Sequence, residues 1–234
     1  MTYTEESLAQ LPVKNGFRLR GEAMTRIEVF SDAAFAFAIT MLVISLDAIP
    51  RDYVEFVEAM KGIPTFILSA SMIMGYWLAH RNWSQQYGLE DPISMLRTLS
   101  IVVIILIFVY PLKLIISFAC YFFSAEYLPT EFSITSLTEM TGLILAFSVA
   151  GFLLAVAFLG LHIQAMRQRD ILKLNSTETI ITPKMIAIWS VTGAATLISV
   201  LLAWLLNPEI GYIGGYALII SWIAIPFIKR RYAS

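Results

Sequence analysis

The sequence predicts an all-α, polytopic membrane protein with six transmembrane helices, on three observations. Of its 234 residues, 58% are hydrophobic and 14% are charged, whereas soluble domains are about 45–50% apolar and about 25% charged. Six apolar stretches are each long enough to cross a bilayer core of about 30 Å as a helix. Polar or proline-containing segments separate these stretches.

The predicted spans and domains follow directly from this pattern. The six spans cover residues 26–49, 63–83, 96–122, 141–166, 185–206 and 210–228. Residues 1–25 are expected to be a cytoplasmic N-terminal segment, because they are polar and lack the apolar core of a cleaved signal peptide. Residues 26–229 form the predicted six-helix domain, and residues 230–234 form a short cytoplasmic tail.

Basic residues fall mostly on one side of the predicted spans. Thirteen of the 16 Lys and Arg residues lie on the same side as both chain ends; the others are Arg51, Lys61 and the intramembrane Lys113. Cytoplasmic segments of membrane proteins carry an excess of Lys and Arg. An even number of spans with this asymmetry predicts a multi-pass protein of the cell membrane with both termini in the cytoplasm.

The first span differs from the other five because polar side chains crowd its start. Arg26, Glu28, Ser31 and Asp32 precede a stretch that must enter lipid. An unpaired charge at that position is costly, so partners within the protein are expected. The alanines that follow make the helix thin, which lets neighbouring helices approach closely.

One face of this helix has the character of a pore lining. At helical spacing it carries Ala33, Phe37, Thr40, Ile44 and Asp47. Several copies of this face around an axis would line a channel, with a carboxylate at its outer end. The same pattern also fits ordinary core or lipid-facing residues, and Asp47 equally fits a solvated charge at a helix end.

Two motifs carry a family resemblance: Arg26-x-x-x-Phe30-Ser31-Asp32 in the first span and Trp77-x-x-His80 in the second. The first resembles the signature of the transmembrane-protein-175 family of potassium channels, and the second resembles that family's Trp-x-x-His element. Chain length, six spans and cytoplasmic ends also match the bacterial members, which carry one six-helix unit per subunit.

The resemblance implies a homotetrameric, potassium-preferring cation channel whose first helices line the central pore. Carried over to this chain, the hydrophobic constriction falls at Phe37, a hydroxyl ring at Thr40 and the next apolar ring at Ile44. A narrow apolar neck gates by excluding water and hydrated ions. This chain departs from the pattern at Phe37, where family members usually have Leu or Ile.

The same resemblance implies a structural network behind the pore. In the family, the Arg, Ser and Asp of the first helix hydrogen-bond with the His of the second. Here these residues are Arg26, Ser31, Asp32 and His80, with Phe30 and Trp77 packed beside them. Direct ion or proton binding by His80 is the alternative interpretation.

Other functions fit the sequence less well. A secondary cation or proton transporter and a non-conducting family relative remain open. An enzyme is not expected, because the chain has two histidines, no nucleophile motif and no clustered carboxylates within its spans. The single Cys120 excludes an internal disulfide and a cysteine-rich metal site. We expect no cofactor, no metal and no nucleic acid, but K⁺ as permeant ion, the bilayer, and further copies of the chain as partners.

Overall fold

The computed structural model describes residues 4–21, 23–44, 50–130 and 132–232, and this part of the chain is mostly helical. Its elements, in chain order, are α1 (Glu5–Ala9), β1 (Val13–Lys14), β2 (Phe17–Arg18), α2 (Arg26–Ile44), α3 (Tyr53–Met60), α4 (Ile63–Tyr87), α5 (Pro92–Phe123), α6 (Leu137–Arg167), α7 (Arg169–Leu172), α8 (Ser176–Leu205), a 3₁₀ helix (Gly211–Leu218) and α9 (Ile219–Arg231).

Among the described residues, five helical stretches are long and apolar enough to cross a membrane. They are Tyr53–Tyr87, Pro92–Phe123, Leu137–Arg167, Ser176–Leu205 and Gly211–Arg231. These stretches correspond to the second to sixth predicted spans. The first predicted span is α2, which begins at Arg26 as expected and reaches Ile44. Its predicted continuation, residues 45–49, lies outside the described residues.

Long helices that follow one another in the chain run antiparallel. Contacts between these helices establish this, since residue numbers rise along one helix as they fall along the other. The contacts are Glu28–Ser84 and Asp32–Trp77, Arg97 with the Gly160 carbonyl and Phe108–Phe147, and Ser148–Ser199 and Phe158–Trp189. The starts of α2, α5 and α8 therefore meet the ends of α4 and α6 at one end of the bundle. We call this end, which carries Arg20, Arg97 and Arg167, the basic end.

Aromatic side chains fill the centre of the bundle. The rings of Phe158 on α6 and Trp189 on α8 stack with centroids 4.4 Å apart. Tyr76 of α4 stacks on the same pair and meets Phe108 of α5 edge-on at 5.9 Å. Aromatic pairs in such geometries contribute about 0.5–1.5 kcal/mol beyond their area burial. This cluster joins α4, α5, α6 and α8.

The N-terminal segment is folded, which the sequence analysis did not predict. Asn15 and Gly16 have φ values of 53° and 78°, and they join β1 to β2 as a two-residue antiparallel hairpin. Asn-Gly is the pair that favours this type I′ turn, because both positions need positive φ. Phe17 is buried against Tyr87, with ring centroids 5.2 Å apart. The all-α prediction misses this hairpin.

The last predicted span is not a continuous α-helix. Residues Gly211–Leu218 form a 3₁₀ helix, and the α-helix begins only at Ile219. The 3₁₀ segment lies directly against α8: a Cβ on Gly214 would meet the Ser199 carbonyl oxygen at 2.7 Å. A Cβ on Gly211 would meet Thr141 Cγ2 at 2.6 Å. At Gly214, only glycine permits this approach of backbone to backbone.

Candidate functional site

Helix α2 has one packed face and one exposed face within the chain. Phe35, Ala38 and Leu42 are buried against the rest of the bundle, at spacings of three and four residues. Phe37 is 56% exposed on the opposite side. Thr40 is also exposed there. An exposed apolar helix face of this kind marks a surface that contacts lipid or another protein chain.

Of the four predicted pore residues from Phe37 onwards, the structure places Phe37 and Thr40 on the exposed face of α2. These two residues lie one turn apart. The Thr40 hydroxyl donates to the Phe37 carbonyl at 2.7 Å, which leaves lone pairs of its oxygen free to accept or to coordinate. Ile44 is the last residue of α2. Asp47 lies outside the described residues.

Asp32 is bound by the second motif. The indole Nε1–H of Trp77 on α4 donates to Asp32 Oδ1 at 2.8 Å. The guanidinium of Arg81 lies 5.5 Å from the centroid of the Trp77 ring, within the range of a cation–π contact. The structure therefore brings together one residue of each motif and joins α2 to α4.

Glu28 makes a second connection between the same helices, one turn closer to the basic end. The hydroxyl of Ser84 donates to Glu28 Oε1. The backbone N–H of Thr25 donates to Glu28 Oε2 at 2.7 Å, and the Glu28 N–H donates back to the Thr25 hydroxyl. This reciprocal arrangement is a capping box, which satisfies free N–H groups at the helix start. Sequence analysis placed Glu28 among the crowded polar residues but did not identify these partners.

His80 is oriented towards a third helix. Its Nε2 lies 3.1 Å from the hydroxyl oxygen of Thr98 on α5, and both side chains are buried. The Phe35 ring of α2 lies beside the imidazole, with centroids 6.3 Å apart. His80 thus reaches α2 through a ring contact, whereas its hydrogen bond goes to α5.

The remaining motif residues lie apart from this network. Ser31 is buried, and its hydroxyl donates to the Glu28 carbonyl within the same helix. Phe30 is 53% exposed. The side chain of Arg26 is exposed and forms no hydrogen bond or ion pair with any described residue. The structure therefore does not bring Arg26, Asp32 and His80 into one hydrogen-bonded cluster.

A buried ion cluster at the basic end was missed by the sequence analysis. The Glu178 carboxylate on α8 accepts from Arg20 Nη2 at 2.8 Å and from Arg18 Nη2 at 3.1 Å. The side chains of Glu178 and Arg20 are fully buried, and that of Arg18 is 16% exposed. Arg20 Nε also donates to the Leu172 carbonyl at 3.0 Å. The cluster fastens the N-terminal hairpin to α7 and α8, directly before the start of α2.

A cavity of about 560 Å³ lies at the basic end, beside the Glu28–Ser84 contact and the Arg20 side chain of the ion cluster. Glu28, His80, Trp83, Asp91 and Arg20 are among its lining residues. A cavity of this size has room for several water molecules, and it lies at the starts of α2 and α5 and the end of α4. Within the described residues, no group of three or more His, Cys, Asp or Glu side chains is placed to hold a metal ion.

We expect Trp77→Phe to lower the stability of the protein, because it leaves the Asp32 carboxylate without its indole donor. Hydrogen bonds to charged groups contribute about 1.5–3 kcal/mol, which corresponds to a fall of roughly 5 °C in the thermal midpoint. The check is thermal unfolding in detergent. The matched control is Trp222→Phe on α9, where the ring is 81% exposed. Equal midpoints for the two variants would contradict the importance of this bond.

Comparisons with known proteins agree with the motifs. The family model described as endosomal/lysosomal potassium channel TMEM175 matches residues 26–111. A potassium channel of Marivirga tractuosa is 28% identical over 197 residues, covering 82% of this chain and 79% of that protein. A crystal structure of a threonine-to-alanine variant of the potassium channel MtTMEM175, in complex with a nanobody–MBP fusion protein, superposes with a TM-score of 0.81. It is 24% identical and covers 95% of this chain and 99% of that chain. At this identity the superposition supports the fold alone. Together with the apolar helices, these similarities show that the chain is a multi-pass membrane protein.

Proposed function

We propose that this chain is the subunit of a potassium-preferring cation channel. The proposal starts from its resemblance to the transmembrane-protein-175 family of potassium channels, which the comparisons confirm. Four copies surround a central axis, and the exposed face of α2 lines the pore. The observation that carries this proposal is the two-sided packing of α2. Its Phe35 and Leu42 side is buried in the protomer, while Phe37 and Thr40 lie uncovered on the other side.

In this proposal Phe37 forms the constriction. Four phenyl rings around the axis exclude water and hydrated ions until they move aside, which makes the ring both filter and gate. Thr40, one turn further along, offers hydroxyl oxygens to a partly dehydrated cation. Ile44 forms the next apolar ring, and Asp47 concentrates cations at the outer mouth.

The contacts behind α2 support this role by fixing the helix orientation. The Asp32–Trp77 and Glu28–Ser84 bonds hold α2 on α4 at two points. A helix fixed at two points on one face cannot rotate freely, so the opposite face keeps its direction towards the axis. Arg26, Phe30, Ser31 and His80, the other residues of the predicted motif network, take no part in these two bonds: Ser31 bonds within α2, and His80 bonds to Thr98 of α5.

We place the channel in the cell membrane with the basic end in the cytoplasm. The positive-inside rule supports this orientation. Residues 1–25 and 230–234 are then cytoplasmic, and residues 26–229 form the six-helix domain. The hairpin and the Arg20–Glu178 cluster lie on the cytoplasmic side of the pore helix.

A secondary cation or proton transporter is the second candidate, and one observation favours it. A cavity of about 150 Å³ between α2, α3, α4 and α5 has Thr65, Ser69, Lys113 and Ser117 among its lining residues. Among the described residues, the Thr65 and Ser69 hydroxyls are buried without a hydrogen-bond partner. Transporters place polar groups of this kind within the membrane. A transporter of this size can act as a monomer, whereas the proposed pore requires an oligomer.

The test is ion flux from proteoliposomes that contain the purified protein in a K⁺ gradient, repeated with Na⁺. The proposal expects K⁺-driven flux that exceeds Na⁺ flux, from a particle whose protein mass in detergent is four times 26.2 kDa. A monomer that exchanges cations would favour the transporter. A folded tetramer that is silent in both gradients would favour a non-conducting relative.

A further inference from the structure

A second polar cavity lies at the basic end, between the hairpin, the end of α4 and the first turns of α8. Its volume is about 320 Å³, which is at the lower end of the range for small-molecule sites. Its polar lining consists of two lysines and four side-chain amides, namely Lys14, Asn15, Asn82, Gln85, Gln86 and Lys184.

The electrostatics of this cavity favour an anion. Both charged side chains in its lining are cationic, and none of the lining residues carries a carboxylate. Each amide adds two N–H donors to the three of each ammonium group. Within the described part of the chain, these six side chains form no hydrogen bond with protein atoms. Their donors are therefore available to a ligand.

The walls of the cavity are held in place by the neighbouring ion cluster. The Arg18 side chain binds Glu178, and the Arg18 backbone N–H donates to Glu178 Oε1 at 2.8 Å. The Gly21 N–H donates to the Gln85 carbonyl at 3.0 Å. These bonds fix the hairpin, which carries Lys14, against α4 and α8. The backbone that carries these donors is therefore already held in place before a ligand binds, which lowers the cost of ordering the site.

We propose that this cavity binds a phosphate group, supplied by an anionic phospholipid headgroup or by a soluble phosphate ester. Lysine binds phosphate as a point charge, and amide donors complete the oxygen contacts. Basic pockets between transmembrane helices at the cytoplasmic side are suited to lipid headgroups. Ile181 and Met185 of α8 give the cavity an apolar wall, which suits the glycerol and acyl part of a lipid.

The test measures binding to the purified full-length protein in a neutral detergent. One arm titrates short-chain phosphatidylglycerol, a second titrates short-chain phosphatidylcholine, and a third titrates glycerol phosphate. Bound ligand is counted by native mass spectrometry. This readout does not involve ion conduction, so its result is independent of whether the protein is a channel.

We expect Lys14→Gln/Lys184→Gln to weaken phosphatidylglycerol binding by about 25-fold, since each basic residue near an anionic lipid contributes about fivefold. Asn82→Leu, which removes donors without changing charge, should weaken it by about tenfold. The control, Lys229→Gln/Arg230→Gln in the last turn of α9, removes the same charge outside the cavity. It should leave the affinity unchanged.

The arms also identify the source of the phosphate. Lysine-dependent binding of phosphatidylglycerol alone assigns the site to lipid, whereas lysine-dependent binding of glycerol phosphate assigns it to a soluble ester. The proposal is overturned if none of the three ligands binds. It is also overturned if binding falls equally in the cavity and control variants, because the effect would then be general surface charge. Unchanged thermal midpoints establish that the variants are folded.

Discussion

Glu178→Ala should be the most destabilising single substitution outside the hydrophobic core. It removes the carboxylate shared by Arg18 and Arg20, and the Arg20 side chain is fully buried. Removing one partner of a buried ion pair costs about 3–5 kcal/mol, because the remaining charge stays uncompensated. This corresponds to a fall of roughly 10 °C in the thermal midpoint, which is measured by unfolding in detergent.

The matched control is Glu209→Ala, which removes an exposed carboxylate between α8 and the 3₁₀ helix. Its midpoint should remain that of the wild type. Glu178→Gln should fall between wild type and Glu178→Ala, since the amide oxygen still accepts hydrogen bonds but carries no charge. If Glu178→Ala and Glu209→Ala unfold at the same temperature, the cluster does not hold the hairpin to the bundle.

Phe37→Ala should have the largest effect on transport. If four Phe37 rings form the constriction, their removal widens the narrowest point and ends its exclusion of water. We expect K⁺ flux to rise by about tenfold, equivalent to about 1.4 kcal/mol off the barrier. The preference for K⁺ over Na⁺ should fall in parallel. Both quantities are measured in proteoliposomes.

Two variants separate this effect from a general loosening of the protein. Phe37→Leu keeps an apolar ring at the constriction and should give flux between that of wild type and Phe37→Ala. Phe227→Ala removes a 64% exposed ring from α9, outside the proposed pore, and should conduct as wild type does. Wild-type flux from Phe37→Ala would place the constriction elsewhere.

The positions of the membrane helices could be predicted from hydropathy, but hydropathy did not give all of their ends. The apolar runs locate α4, α5, α6 and α8 because the bilayer requires about 20 apolar residues from each. Helix α8 nevertheless begins at Ser176, nine residues before the predicted start. The signal was present in the sequence: Asn175 and Glu178 form a capping box, which satisfies the first N–H groups of a helix outside the lipid.

The break in the last span could not be predicted from composition. A 3₁₀ segment and an α-helix of the same residues have the same hydropathy. Glycine is needed at 211 and 214 because a Cβ there would meet Thr141 and Ser199, which lie on other helices. The Asn15–Gly16 turn, in contrast, was readable from local turn chemistry alone.

In the candidate site, too, local features could be predicted from the sequence, whereas contacts between distant parts of the chain could not. Helical spacing alone predicted that Phe37 and Thr40 share a face, since residues three apart are neighbours on a helix. The partners of Asp32 and Glu178 depend on contacts across the fold: Trp77 lies 45 residues from Asp32. Arg20 lies 158 residues from Glu178. Sequence analysis counted Arg18 and Arg20 as topology signals, whereas their folded role is to bind one buried carboxylate.

The most direct test of the pore proposal is chemical access to Thr40. Cys120 is the only cysteine of the chain, so Thr40→Cys in a Cys120→Ser background gives a single reactive thiol. We expect a cationic thiol reagent to reduce K⁺ flux by roughly tenfold or more, because the attached group occupies the pore. A control cysteine at Ile107, which is 62% exposed on α5, should leave flux unchanged. Full modification of Thr40→Cys, verified by mass, with undiminished K⁺ flux would contradict a pore lined by α2.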